Sequence, residues 1–180
     1  MQPQYKLIPY DDPLLTKPME YKEIEDKINF ASQLENATRF FNGIGLSANQ
    51  VGIDNRVFSI VYGDFAETFF DPKIVETSAE TTLFEEGCLS QPGVFINLKR
   101  PQKIKIEYTT RTGERITAEF GGITARIIQH EYDHMEGIVF TQRVSRFTLK
   151  WELDKIEKQR IKFEKLYSRY QRAKANGKKS

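Results

Sequence analysis

Cysteine and histidine are scarce in this chain, with one of the former and two of the latter among 180 residues. A single cysteine excludes an intramolecular disulfide framework and any zinc site built from four thiolates. Chemistry that needs sulfur or imidazole is therefore confined to Cys88, His130 and His134. No apolar run approaches the ~20 residues of a membrane span. The opening MQPQYKLIPYDDP has neither an apolar signal core nor an Arg- and Ser-rich amphipathic transit pattern, so the expected location is the cytoplasm, away from any membrane. Pro/Gly/Ser-rich linkers and internal repeats are missing as well, which argues for one domain. Net charge is small, +2 from 27 basic and 25 acidic residues. What is present is a globular composition, 39% hydrophobic and 12% aromatic, enough for one sizeable core.

Periodicity supplies the coarse elements. Ile24, Ile28, Ala31, Leu34, Ala37 and Phe41 fall at helical spacing and predict an amphipathic helix over 21–41, closed by Asn42 and Gly43. Gly43, Gly45 and Gly52 then mark a loop. Arg56 to Tyr62 is β-branched and aromatic, with Thr68 to Asp71 as a short partner before Pro72. Ile104, Ile106 and Tyr108 alternate with charged residues, and Thr112-Gly113 turns this strand into Arg115 to Phe120. After Gly121-Gly122 the period becomes helical and runs to about Gly137, largely buried. From about Ser145 a long amphipathic helix follows, carrying Leu149, Leu153, Ile156, Phe163, Tyr167 and Tyr170 before a polar tail from Ala173. Central strands between helices that do not alternate regularly with them predict an α+β fold.

Three segments carry the chemistry. His130-Glu131-Tyr132-Asp133-His134 is an HExxH sequence, whose imidazoles share one helix face and can reach one metal ion. Glu131 lies beside such an ion without binding it and can carry the proton of an activated water. A catalytic ion needs a third protein ligand. Glu152, 18 residues after His134, is one candidate, although it lies in a charged stretch that reads as a solvated helix face; Cys88, in Glu86-Gly87-Cys88-Leu89-Ser90, is the other. The third segment, Gly43-Ile44-Gly45-Leu46-Ser47-Ala48-Asn49-Gln50, contains G-x-G-x-x-A. A dinucleotide site would require a strand before it and a helix after it, and here the order is reversed.

Taken in order, GIGLSANQ, EGCLS and QHEYDH resemble the three motifs of the peptide deformylases, and with the flanking segments the resemblance extends over about residues 5–142. It implies removal of the formyl group from N-formylmethionine on nascent proteins, in a bacterium or in the host cytoplasm of a virus that infects one. It implies Cys88, His130 and His134 as metal ligands, Glu131 as general acid/base, and the Gln50 side-chain amide and Leu89 backbone N–H as oxyanion donors. It implies as well an α+β domain with antiparallel strands packed around the HExxH helix, and Fe(II) as the ion, replaceable by nickel, cobalt or zinc. Ile44, Phe84, Ile123 and Ile127 adjoin the motifs and are candidates for the methionine pocket, while backbone near Gly45 and Gly87 would hold the extended peptide. Asp133, on a buried helix, needs a partner, for which Arg100 is the candidate. Ser47 and Asn49 stand where Ala and Pro are more usual, and Asn49 is expected to loosen the loop that aims Gln50. Met135 stands where Leu is common.

The near-neutral total hides an asymmetry. Residues 145–180 hold 12 Lys/Arg and 4 Asp/Glu, a net of +8, which leaves −6 on residues 1–144. The chain therefore divides into a catalytic body, 1–144, and a basic C-terminal helix and tail, 145–180, of the same domain. That helix is either a solvated face or a dock for ribosomal RNA. Beside a monomeric deformylase, two other functions fit the motifs: a zinc endopeptidase using Glu152, and a non-catalytic ribosome-binding module.

Overall fold

A computed structural model of the chain describes residues 4–176. Helix α1 spans Lys27–Phe40 and α2 spans Gly122–Met135. A five-stranded antiparallel sheet, in the order β1-β2-β3-β6-β7, combines β1 (Gly45–Ser47), β2 (Val57–Tyr62), β3 (Phe65–Thr77), β6 (Lys103–Thr109) and β7 (Arg115–Gly121). Strands β4 (Thr81–Cys88) and β5 (Gln91–Pro101) pair with each other in a separate ribbon, and α3 (Arg146–Asn176) closes the chain. This is the α+β architecture expected, with α2 packed between the sheet and the ribbon.

The β6–β7 hairpin follows its sequence pattern: Ile104, Ile106 and Tyr108 are buried, and Gly113 takes the positive φ of the turn. Phe69 links three adjacent strands of the sheet, stacking on Phe58 of β2 at 4.8 Å and contacting Tyr108 of β6 at 4.2 Å between ring centroids. Under α2, the side chains of Ala125, Ile127 and Ile128 join this core. Ala31, Leu34 and Ala37 of α1 cover the other end of the sheet with Leu46 and Phe70.

Three elements differ from expectation. Helix α1 begins at Lys27 rather than Tyr21, because Asn55 holds Lys22 through both its backbone N–H (2.9 Å) and carbonyl (2.8 Å), and because the Asp26 side chain caps Asn29 N at 2.9 Å. Ile24 thus precedes the helix, and Ile28 is exposed rather than core. Strand β3 continues through Pro72 to Thr77. It does so over a bulge, with Asp71 at φ 47 and a register shift between Phe70 and Lys73, so the missing proline N–H falls where the ladder is already interrupted. Strand β4 lacks a period-2 signal because most of it is exposed on both faces, whereas β5 alternates in burial from Ile96 to Arg100.

Helix α3 continues to Asn176, past Ala173, where the polar tail was expected to begin; residues 177–180 lie outside those described. Its first turns pack along β5: Leu149 is half-buried and Glu152 is buried, a correction to its surface assignment. From Glu157 onward every side chain described is exposed.

Candidate metal centre and catalytic cavity

Residues four apart on α2 place His130 and His134 on one face, their rings 5.3 Å apart between centroids. Cys88 ends β4, where the ribbon register jumps from Gly87↔Phe95 to Cys88↔Gln91. That irregularity turns the thiol toward α2. One donor atom from each of Cys88, His130 and His134 lies within 4.8 Å of the other two, and Cys88 Sγ is 3.4 Å from His134 Nε2. A tetrahedral ion bound to a thiolate at ~2.3 Å and an imidazole at ~2.0–2.1 Å holds those two atoms about 3.5 Å apart, so the three residues fit a metal of this coordination. Glu152 is not part of the cluster. Its carboxylate instead receives Lys155 Nζ at 3.4 Å.

The electrostatics favour a cation at the same place. Burial disfavours a proton on His130, but hydrogen bonds to Cys88 and Glu86 more than offset this and push its pKa up to about 10. Anionic surroundings that hold a proton there will also hold a metal ion in its stead. Burial, with His130 and Arg100 adding to it, lowers His134 well below the ordinary value and keeps it the neutral imidazole that a ligand must be.

Glu86 fixes the ring of His130, its Oε2 lying 3.1 Å from Nδ1. Its carboxylate is held in turn by Arg100, at 2.6 Å from Nε and 2.9 Å from Nη2, and by Arg126 Nη1 at 2.5 Å. Burial alone would raise the Glu86 pKa; His130 and Arg100 override it and hold the group down at about 2. The expected Arg100–Asp133 pair is present at 2.9 Å, and Asp133 also accepts Arg143 Nε at 3.0 Å. Arg100 therefore does more than neutralise Asp133: it ties Asp133 to the carboxylate that holds His130. Glu86, Arg126 and Arg143 were not singled out from the sequence. Glu86 alone had a signal, its position two residues before Cys88.

Glu131 is 3% exposed, and its Oε2 is buried without a hydrogen-bond partner. Burial raises its pKa to about 7. It lines a cavity of about 510 Å³ that also contains Gln50, Cys88, Leu89 and His130. Ile44, Gly45, Phe84, Gly87, Ile123 and Ile127 all border this cavity, with Ile44 and Phe84 about half exposed at its edge and Ile127 buried. Val94 and Phe95 complete the wall from β5, and sequence patterning alone had not separated them from the rest of the ribbon.

Gln50 stands in a 3-10 turn, Ala48–Val51, directly after β1. Its Nε2 lies 3.0 Å from Ser90 Oγ and 3.3 Å from Cys88 Sγ. Asn49, expected to loosen this loop, is instead fully buried and donates to His134 O at 3.0 Å and Leu14 O at 3.3 Å.

Comparison with known proteins adds an independent line. The family model described as polypeptide deformylase matches residues 4–150. The peptide deformylase of Treponema pallidum is 37% identical over 135 residues, covering 74% of this chain and 83% of the relative. The crystal structure of peptide deformylase from Thermotoga maritima superposes with a TM-score of 0.76 at 33% identity, covering 80% of this chain and 99% of the other. That of Synechococcus elongatus, solved in complex with actinonin, gives a TM-score of 0.79 at 33% identity and covers 87% of both chains.

Proposed function

Since this chain belongs to the polypeptide deformylase family and is a metal-dependent hydrolase that removes the formyl group from the N-formylmethionine of nascent proteins, we propose the following division of labour among its residues. Cys88, His130 and His134 hold the ion, with Glu86 orienting His130. When bound, a divalent ion acidifies water and polarises the formyl oxygen. The reading favours Fe(II), with zinc, nickel or cobalt able to substitute; a thiolate beside Fe(II) makes the site prone to oxidation in air.

Glu131 is the proton carrier. Its carboxylate takes the proton of the attacking water and returns it to the departing amine, which requires a pKa near the working pH, and burial supplies one of about 7. As the carbonyl carbon becomes tetrahedral, its oxygen gathers negative charge. Gln50 Nε2 and the Leu89 backbone N–H donate to that oxygen, each worth ~3 kcal/mol in comparable sites. The methionine side chain enters the apolar part of the cavity between Ile44, Phe84, Ile123 and Ile127, while backbone at Gly45 and Gly87 lies alongside the peptide. The products are formate and a free amino terminus.

The observation that carries this reading is that Cys88 and His130 of the Cys88/His130/His134 cluster and the buried Glu131 line one apolar-walled cavity. Formate release from formyl-Met-Ala-Ser by protein loaded anaerobically with Fe(II) or Ni(II), measured against Glu131→Ala, tests it. Turnover no greater than that of the variant rejects the assignment.

The body, 1–144, is read as the catalytic unit and 145–180 as a basic helix of the same domain, in a monomer working in the cytoplasm. No helix among the described residues is long and apolar enough to cross a membrane. The exposed basic helix beyond Glu157 is read as a contact to ribosomal RNA. Deleting residues 157–180 should weaken co-sedimentation with ribosomes and leave hydrolysis of a formylated tripeptide intact; unchanged sedimentation rejects the contact.

A further inference from the structure

Gln50 can donate to a developing oxyanion only if its carboxamide presents nitrogen, not oxygen, to the cavity. The two ends of a carboxamide have nearly the same shape, so packing alone does not choose between them and hydrogen bonds must. Here Oε1 accepts from Ser47 N at 2.9 Å and lies 2.9 Å from Ser47 Oγ. A flipped amide would set its NH₂ against the Ser47 N–H and its oxygen against the Cys88 sulfur.

Ser47 is held in turn. Its hydroxyl has one hydrogen and two acceptors, Gln50 Oε1 and, at 2.7 Å, Asn49 Oδ1. The Asn49 amide is oriented because its Nδ2 donates to Leu14 O and His134 O. His134 lies at the last turn of α2, where carbonyls lack intrahelical partners, and among the described residues its carbonyl has one other donor, Gly137 N at 3.3 Å. A continuous run of polar contacts thus joins the backbone of a metal-binding residue to the side chain of the proposed oxyanion donor: His134, Asn49, Ser47, Gln50. Ser47 and Asn49 are 0% exposed and Gln50 is 2% exposed, so water does not compete for these bonds.

We propose that Ser47 and Asn49 are positioning residues that fix the amide of Gln50 relative to the metal cluster. Asn49 anchors the 3-10 turn to the end of α2, and Ser47 occupies Oε1 so that Nε2 faces the cavity. This rests on the donor role assigned to Gln50 above.

The test is a double-mutant cycle on the metal-loaded enzyme: wild type, Asn49→Ala, Gln50→Ala and the double variant, with kcat and KM measured for formyl-Met-Ala-Ser. Asn49→Ala should lower kcat about tenfold, part of the ~10²–10³ lost when an oxyanion donor is removed outright, with KM within about twofold. In the Gln50→Ala background the same substitution should cost less than about twofold. The side-chain amide signals of Gln50, recorded by ¹⁵N NMR on the diamagnetic zinc-loaded protein, should be sharp in wild type and broadened or lost in Asn49→Ala. Ser47→Ala carries the same test if Asn49→Ala does not fold. Equal losses in the two backgrounds, or unaltered Gln50 amide signals, overturn the proposal. If Gln50→Ala turns over like the wild type, the donor role itself has failed, and the amide spectrum then decides alone whether Asn49 orients the group.

Discussion

Replacing Gly45 by alanine should disable the enzyme without unfolding it. A Cβ built at this position lies 2.8 Å from Cδ and 2.9 Å from Cγ of Glu131, and closer still to Oε1. Carbon atoms in contact prefer a separation of about 3.5 Å, so the base of the Glu131 side chain must retreat by about 0.6–0.7 Å and its carboxylate by about 1 Å. Rotating only the tip of the side chain does not relieve the overlap, because Cγ is involved. The backbone cannot retreat easily either, since Gly45 is paired with Ile60 and β1 is buried throughout. The extended backbone at Gly45 suits alanine, so folding need not suffer, and Glu131 can swing into the open cavity. A misplacement of ~1 Å in a catalytic group costs about 10²-fold, or about 2.7 kcal/mol in the barrier. The assay is formate release at saturating formyl-Met-Ala-Ser, with bound metal and thermal midpoint measured on the same preparation. A Gly45→Ala protein with wild-type metal content and turnover within about threefold of wild type would refute the steric argument.

Other outcomes follow from the same structure. Cys88→Ser should lose most of its bound metal and its formate release, whereas Glu152→Gln should retain both; the opposite pattern, read by metal analysis after gel filtration, would restore the endopeptidase assignment. Arg100→Met removes the bridge between Glu86 and Asp133 and leaves two buried carboxylates short of a partner, which should cost about 3–5 kcal/mol in denaturant unfolding and weaken metal affinity about 10–100-fold. Wild-type affinity in that variant would show that Glu86 holds His130 without help. Gly137 has φ 69, and a Cβ there would meet the Thr16 carbonyl oxygen at 2.7 Å and backbone atoms of Lys17 and Pro18 at 2.8 Å. Gly137→Ala should therefore destabilise by more than ~1 kcal/mol, visible as a drop of several degrees in thermal midpoint.

Legibility of the sequence varied with the range of the interactions involved. The β6–β7 hairpin and the face shared by His130 and His134 depend on neighbours a few positions away, so alternation and four-residue spacing were enough to read them. The start of α1 was not legible in this way: Asn55, 33 residues from Lys22, holds the chain extended where apolar spacing continues the helix. Strand β3 was underestimated because Pro72 reads as an end, and only its pairing with β6 shows the bulge that accommodates it. Glu152 read as a solvated charge because a helical period cannot show how far the body reaches along α3.

At the site, local sequence determined the donor types: an HExxH helix, a lone thiol two residues after a carboxylate, and a glycine segment ending in Gln50. Tertiary structure decided which of them meet. Cys88 reaches the imidazoles from another layer across the register jump in the β4–β5 ribbon, and Arg100 and Arg126 join Glu86 from β5 and α2. It also reversed the expectation for Asn49. By itself Asn49 is one more flexible residue in a glycine-rich loop; beside the carbonyl of His134, 85 positions away, it becomes a buried tether. Periodicity records what a residue does within its own element, whereas hydrogen bonds and ion pairs in the interior depend on distances that only the folded chain sets.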